Sequence, residues 1–101
     1  MQPKVESEEV AEEQTSGEPY SQTREFNKGI EALKFYDRPG SLDAAEKSFN
    51  TILSHSPGNA AAVAGISLVY SERYHSDFED PIWMQKANAG AQQALQLNPQ
   101  L

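Results

Sequence analysis

The chain is 101 residues long, with 38% hydrophobic and 23% charged side chains: enough for one small domain, too little for a two-domain enzyme. Fifteen acids against eight bases give a net charge of −7, which opposes binding to a phosphate backbone, and nowhere do three bases stand together to offset it. The absence of cysteine removes a disulfide framework, a thiolate metal site and a cysteine nucleophile together.

Much of the acidity sits at one end. Residues 1–19 hold Glu6, Glu8, Glu9, Glu12, Glu13 and Glu18 against Lys4 alone, with Pro3, Gly17 and Pro19 and little apolar surface. Such a stretch cannot bury enough to offset its ordering entropy, so residues 1–19 are expected to be a disordered acidic tail. It also lacks the apolar run of a secretory signal, and no segment approaches the roughly 18–20 apolar residues of a membrane span. A cytoplasmic location is the expectation.

From Tyr20 the pattern becomes helical. Phe26, Ile30 and Leu33 recur at i, i+4, i+7, predicting an amphipathic helix over about 21–36 that stops at Asp37-Arg38-Pro39-Gly40. Ser41 is placed to cap a second helix, whose stripe is Leu42, Ala45, Phe49, Ile52 and Leu53 and whose end is Ser56-Pro57-Gly58. Asn59 is the expected cap of a third helix, about 60–75, with Val63, Ile66, Tyr70 and Tyr74 on one side. Asp80-Pro81 starts a fourth, which runs to Leu97 before Asn98-Pro99. No segment alternates with period two, so the fold class is all-α.

The four helices repeat in pairs. Ala45-x3-Phe49-x2-Ile52-Leu53-x3-Pro57 lies over Ala87-x3-Ala91-x2-Ala94-Leu95-x3-Pro99 at an offset of 42 residues. Phe26-x2-Gly29-Ile30-x2-Leu33 likewise corresponds to Val63-x2-Ile66-Ser67-x2-Tyr70. Helix A, helix B, helix A, helix B reads as two tandem helical hairpins, about 20–57 and 58–99. Small Ala45, Ala87 and Ala94 allow close helix approach, Phe49 fills the space between hairpins, and Gly29, Gly65 and Gly90 are expected at close helix packing.

On these residues the chain resembles the tetratricopeptide (TPR) repeat family. The stretch from Pro57 to Tyr70, and the closing Ala94-Leu95-Gln96-Leu97-Asn98-Pro99, are similar to repeats appended to bacterial signalling proteins such as nucleotide cyclases, kinases and transcription regulators. The chain departs from the family in its 42-residue interval, against about 34, with most of the excess in Ser71–Lys86, and in Ala91 where an aromatic is usual. The resemblance implies a right-handed α-solenoid fragment acting as a protein–protein interaction scaffold without catalysis. Its concave face would belong to the first helix of each repeat: Arg24, Asn27, Glu31, Lys34 and Phe35, then Ala61, Ala64, Leu68, Ser71 and Glu72. Such a groove suits a peptide segment of a partner. Glu31 stands where a chaperone-tail clamp would want asparagine, which sets that subclass aside.

Two further features stand out. After Lys86 no residue is charged, although terminal repeats are normally polar outside. This implies a covering neighbour, either another hairpin of a longer parent chain or a second copy. Tyr70 to Trp83 also concentrates aromatics, and Tyr74, Phe78 and Trp83 are expected either as a small satellite core or as a binding patch.

Catalytic constellations are missing. His75-Ser76-Asp77 are adjacent in sequence and cannot converge as a triad. His55 and His75 have no HExxH-like partner, and His55 is better placed to serve the C-terminal dipole of the second helix. The acids near residue 80 lack EF-hand spacing, and no phosphate-binding glycine motif occurs. The expectation is a non-enzyme with no cofactor and no metal, binding a protein or peptide. The alternatives are a homo-oligomerisation domain or a small-ligand sensor using the aromatic insertion.

Overall fold

The computed structural model describes residues 19–76 and 79–101; the acidic segment 1–18 and the pair 77–78 lie outside the described residues. Those described form four α-helices: α1, Gln22–Lys34; α2, Ser41–His55; α3, Ala60–Ser76; and α4, Pro81–Leu97. No strand occurs among them. No described helix is long and apolar enough to cross a membrane.

Local chemistry sets most of the helix ends. Ser21 is extended and its Oγ accepts from the Arg24 N–H at 3.2 Å, capping α1. Asn59 Oδ1 accepts from the Ala62 N–H at 2.9 Å, and Asp80 from the Ile82 N–H at 3.0 Å with Pro81 following. The second helix differs from expectation: Ser41 is its first helical residue rather than its cap. Gly40 precedes it in the left-handed region, φ 81°, and no side chain caps this end. The glycine lets the chain turn so tightly that the Ser41 N–H bonds back to the Arg38 carbonyl at 3.1 Å, placing Ser41 inside the helix.

Each hairpin is antiparallel. Tyr20, just before α1, stacks on His55 at the end of α2, ring centroids 3.6 Å apart. At the other hairpin, the Leu97 side chain at the end of α4 reaches the backbone of Gly58 just before α3. Helix α2 packs on α1 and α3, α4 packs on α3, and α1 touches α3 more lightly; α2 and α4 do not meet.

The core centres on Phe49. With Ala45, Ile52, Ala62 and Val69 it is fully buried, and Phe26, Ile30, Leu33, Leu42, Leu53 and Ile66 close around it. Its ring lies between two glycine backbones, Gly29 of α1 and Gly65 of α3. A Cβ at either position would stand 2.6 or 2.7 Å from ring carbons. The second hairpin closes differently. Ala87 and Ala94 are buried against α3, and Gly90 sits over Ser67, whose buried hydroxyl donates to the Ala87 carbonyl. Small side chains thus let α4 lie close to α3, and the one buried hydroxyl there has its acceptor.

Candidate peptide-binding face

Apolar and small residues surround α3 on nearly every side, so this central helix has neighbours nearly all round. Between Ala60 and Tyr74 a single residue is exposed: Leu68, at 54%. Ala61, Ala64, Leu68 and Ser71 follow at spacings of three, four and three, which puts them on one face of the helix. Ala61 also lines a cleft of about 230 Å³ with Gln22, Thr23 and Phe26 of α1, plus Ile52 and Asn59. The start of α3 therefore lies beside the start of α1, and the α3 row forms a strip next to that helix. Glu72 is half-buried on the same helix.

The α1 positions divide. Arg24, Asn27 and Glu31 are exposed and line a shallow depression with Ser21, Thr23 and Lys28, to which α3 contributes nothing. Lys34 and Glu31 face each other at 3.6 Å, both well exposed, a pair of small energetic weight. Phe35 is the C-cap residue of α1, half-buried, with the Arg38 guanidinium 4.0 Å above its ring. Its ring is thus engaged in the turn after α1. Of the residues expected to share one groove, the structure groups the α3 set into one strip and the Arg24, Asn27 and Glu31 set into a separate surface.

The aromatic group is also rearranged. Phe78 lies outside the described residues. Trp83 stacks on Tyr70, centroids 5.9 Å apart, whereas the Tyr74 ring meets His75 edge-on at 5.5 Å. Two cations lie over the indole: the Lys86 ammonium at 5.1 Å and the Arg73 guanidinium at 5.6 Å. Arg73 also pairs with Asp43 at 2.6 Å and Glu46 at 3.0 Å, tying α3 to α2. Burial opposes its charge, yet these two hydrogen-bonded carboxylates leave its pKa above the ordinary arginine value. The Tyr70 phenol is raised above its usual range by burial and then by the charge of Glu46, with Arg73 opposing.

One feature of this region was not anticipated from sequence. Because α2 and α4 do not meet, a slot of about 380 Å³ remains between them over α3. Leu53, Val63 and Ile66 line it, with Gly90, and Tyr70 and Lys86 lie at one end. The Trp83–Lys86 spacing of three, one helical turn, was the local signal for a cation beside an indole.

His55 is exposed, its ring held by Tyr20 and within 3.1 Å of the Thr51 carbonyl. No group of three His, Asp or Glu side chains able to hold a metal ion is found among the described residues. Comparison with protein-family models, with curated proteins and with solved structures finds no match to this chain.

Proposed function

We infer that this chain is a TPR-like, non-catalytic interaction module, belonging to a larger signalling or regulatory system, that takes a peptide segment on the α3 strip. The observation that carries this reading is Leu68. It is the one exposed residue between Ala60 and Tyr74, an aliphatic side chain on a helix otherwise covered by its neighbours, and burying it under a partner would gain about 1.5–3 kcal/mol. Ala61 and Ala64 beside it are small enough to let a partner backbone approach. The partner segment then needs one apolar anchor seated against Leu68.

The test is selection of roughly 12-residue peptides from a display library on the native protein, with Leu68→Glu as counter-target. Because Leu68 is exposed, that variant should keep its helicity and melt within about 0.5 kcal/mol of the parent. Selected peptides should bind it at least tenfold more weakly and shift the amide resonances of Ala61, Ala64 and Leu68. Peptides that bind both proteins equally, or no enrichment at all, would defeat the reading.

The slot between α2 and α4 favours a second reading, a small-ligand sensor. Its apolar walls and the Lys86 ammonium, which has no carboxylate within ion-pair distance among the described residues, suit an apolar body bearing a carboxylate. Trp83, the only tryptophan, reports on it. Titration with phenylacetate and its neutral amide should change Trp83 fluorescence for the acid alone; no change with either counts against this reading.

A further inference from the structure

We propose that the outward face of α4 is a two-fold interface with a second copy of this chain, built on Met84, Asn88, Ala91 and Leu95.

The internal repeat locates this surface. At the 42-residue offset these four positions correspond to Leu42, Glu46, Phe49 and Leu53 of α2. Helix α3 covers that α2 row. Phe49 is pressed on Gly65, Glu46 is held by Arg73, Leu53 shares a slot with Val63 and Ile66, and Leu42 lies beside Arg73 in a smaller hollow. Among the described residues none stands in the corresponding place on α4. Asn88, Ala91 and Leu95 are exposed and Met84 is half-exposed, while the opposite side of the helix, Ala87 and Ala94, is buried on α3.

The spacing of the row is four, three, four, the seam of a coiled coil with one polar position. A helix carrying this seam packs on another at a shallow angle. Ala91, standing where α2 has Phe49, permits a close approach. An antiparallel pair centred between Asn88 and Ala91 sets Leu95 against Met84 of the second copy, and Asn88 against Ala91 of the second copy.

Charge selects the second copy as occupant. A two-fold contact sets a surface against a second copy of itself, so a surface of one predominant sign repels its partner, and charges close to the axis face their own copies. The acidic excess lies mainly in residues 1–19 and the acids and bases of the rest are nearly balanced; residues 87–101 carry no charged side chain, so two α4 faces meet without like-charge opposition. Leu95 is exposed and gives one end of the row its apolar anchor. A head-to-tail stack, in which α1 of one copy covers α4 of the next as α3 covers α2, has less support: at the offset that relates α1 to α3, Gly65 corresponds to Lys28, so a long charged side chain paired with Glu25 stands where α3 offers a bare backbone. From Met84 to Leu95 the seam is only about 17 Å long. That is less than a standard interface of roughly 800 Å² per partner provides, so half-association is expected on the order of 100 μM.

Sedimentation of the full chain from about 5 μM to 1 mM tests this. The expected result is a monomer–dimer equilibrium that stops at the dimer. Raising salt from about 0.05 to 0.5 M should tighten it several-fold, since screening relieves the mutual repulsion while the seam itself is uncharged. Ala91→Glu and Leu95→Glu should each weaken association at least tenfold with unchanged helicity, and Asn88→Leu should strengthen it about tenfold. A monomer at 1 mM, open-ended association, weakening by salt, or a Leu95→Glu variant that still dimerises would each overturn the proposal.

Discussion

The ring of Phe49 lies so close to the backbone of Gly65 that a Cβ on that glycine would stand 2.7 Å from two ring carbons. On the other side Gly29 makes the same approach at 2.6 Å, and Phe26 tilts against the ring at a centroid distance of 5.7 Å. One aromatic side chain therefore joins three helices, and two glycines exist to admit it.

Adding a methyl group at either glycine should destabilise the fold, although alanine is normally favoured in a helix by about 1 kcal/mol. The ring is fully buried and cannot swing out, so Gly29→Ala and Gly65→Ala should each cost about 1–3 kcal/mol net in urea unfolding. Phe49→Ala should cost about 3–5 kcal/mol. Combining Gly65→Ala with Phe49→Leu should lose less than the two single changes summed, because the added methyl then meets a smaller side chain.

Ser67 and Gly90 set the distance between α3 and α4. A Cβ on Gly90 would lie 3.2 Å from the Ser67 Cβ, and the hydroxyl donates to Ala87. Ser67→Ala keeps the size and removes the donor, so it should cost about 0.5–1.5 kcal/mol. Ser67→Val adds bulk where α4 has none to yield and should cost about 1–3 kcal/mol. Thermal unfolding followed by circular dichroism separates the two.

Glu79 adopts φ 61° and sends its N–H to the Tyr74 carbonyl at 2.9 Å, closing the end of α3 in a position that favours glycine. Glu79→Gly should therefore stabilise the protein, by up to about 1 kcal/mol, with the caps of α3 and α4 unchanged. A loss of stability would show that the glutamate side chain contributes more than its backbone geometry costs.

Tyr70 gives a pH dependence on the alkaline side. Its raised pKa means the folded state favours the neutral phenol more than the unfolded chain does. The resulting stability is complete below about pH 10, the unfolded value, and is lost as pH rises through the folded pKa. Ultraviolet difference titration against Tyr70→Phe should find this ionisation above about pH 10, and the variant should lose less stability between about pH 9 and 11.

Helix positions and most of their ends were legible in the sequence because they depend on neighbours a few residues away. The apolar spacing of Phe26, Ile30 and Leu33, and the Asn59 and Asp80 caps, are local chemistry, and each appears in the structure. Ser41 failed as a cap for a local reason as well: Gly40 turned left-handed and moved the helix start. The all-α class and the place of Phe49 between hairpins followed from the same patterns. Which surfaces stay open did not, because exposure depends on what other helices cover. Leu53 belongs to an apolar stripe and Leu68 to the face read as concave, yet Leu53 borders an open slot that persists because α2 and α4 do not pack on each other, and Leu68 is the one residue of central α3 left exposed before Tyr74. Trp83 chose Tyr70 rather than Tyr74 for the same kind of reason: the ring that shares its level across two packed helices is set by their crossing, which no short stretch of chain encodes.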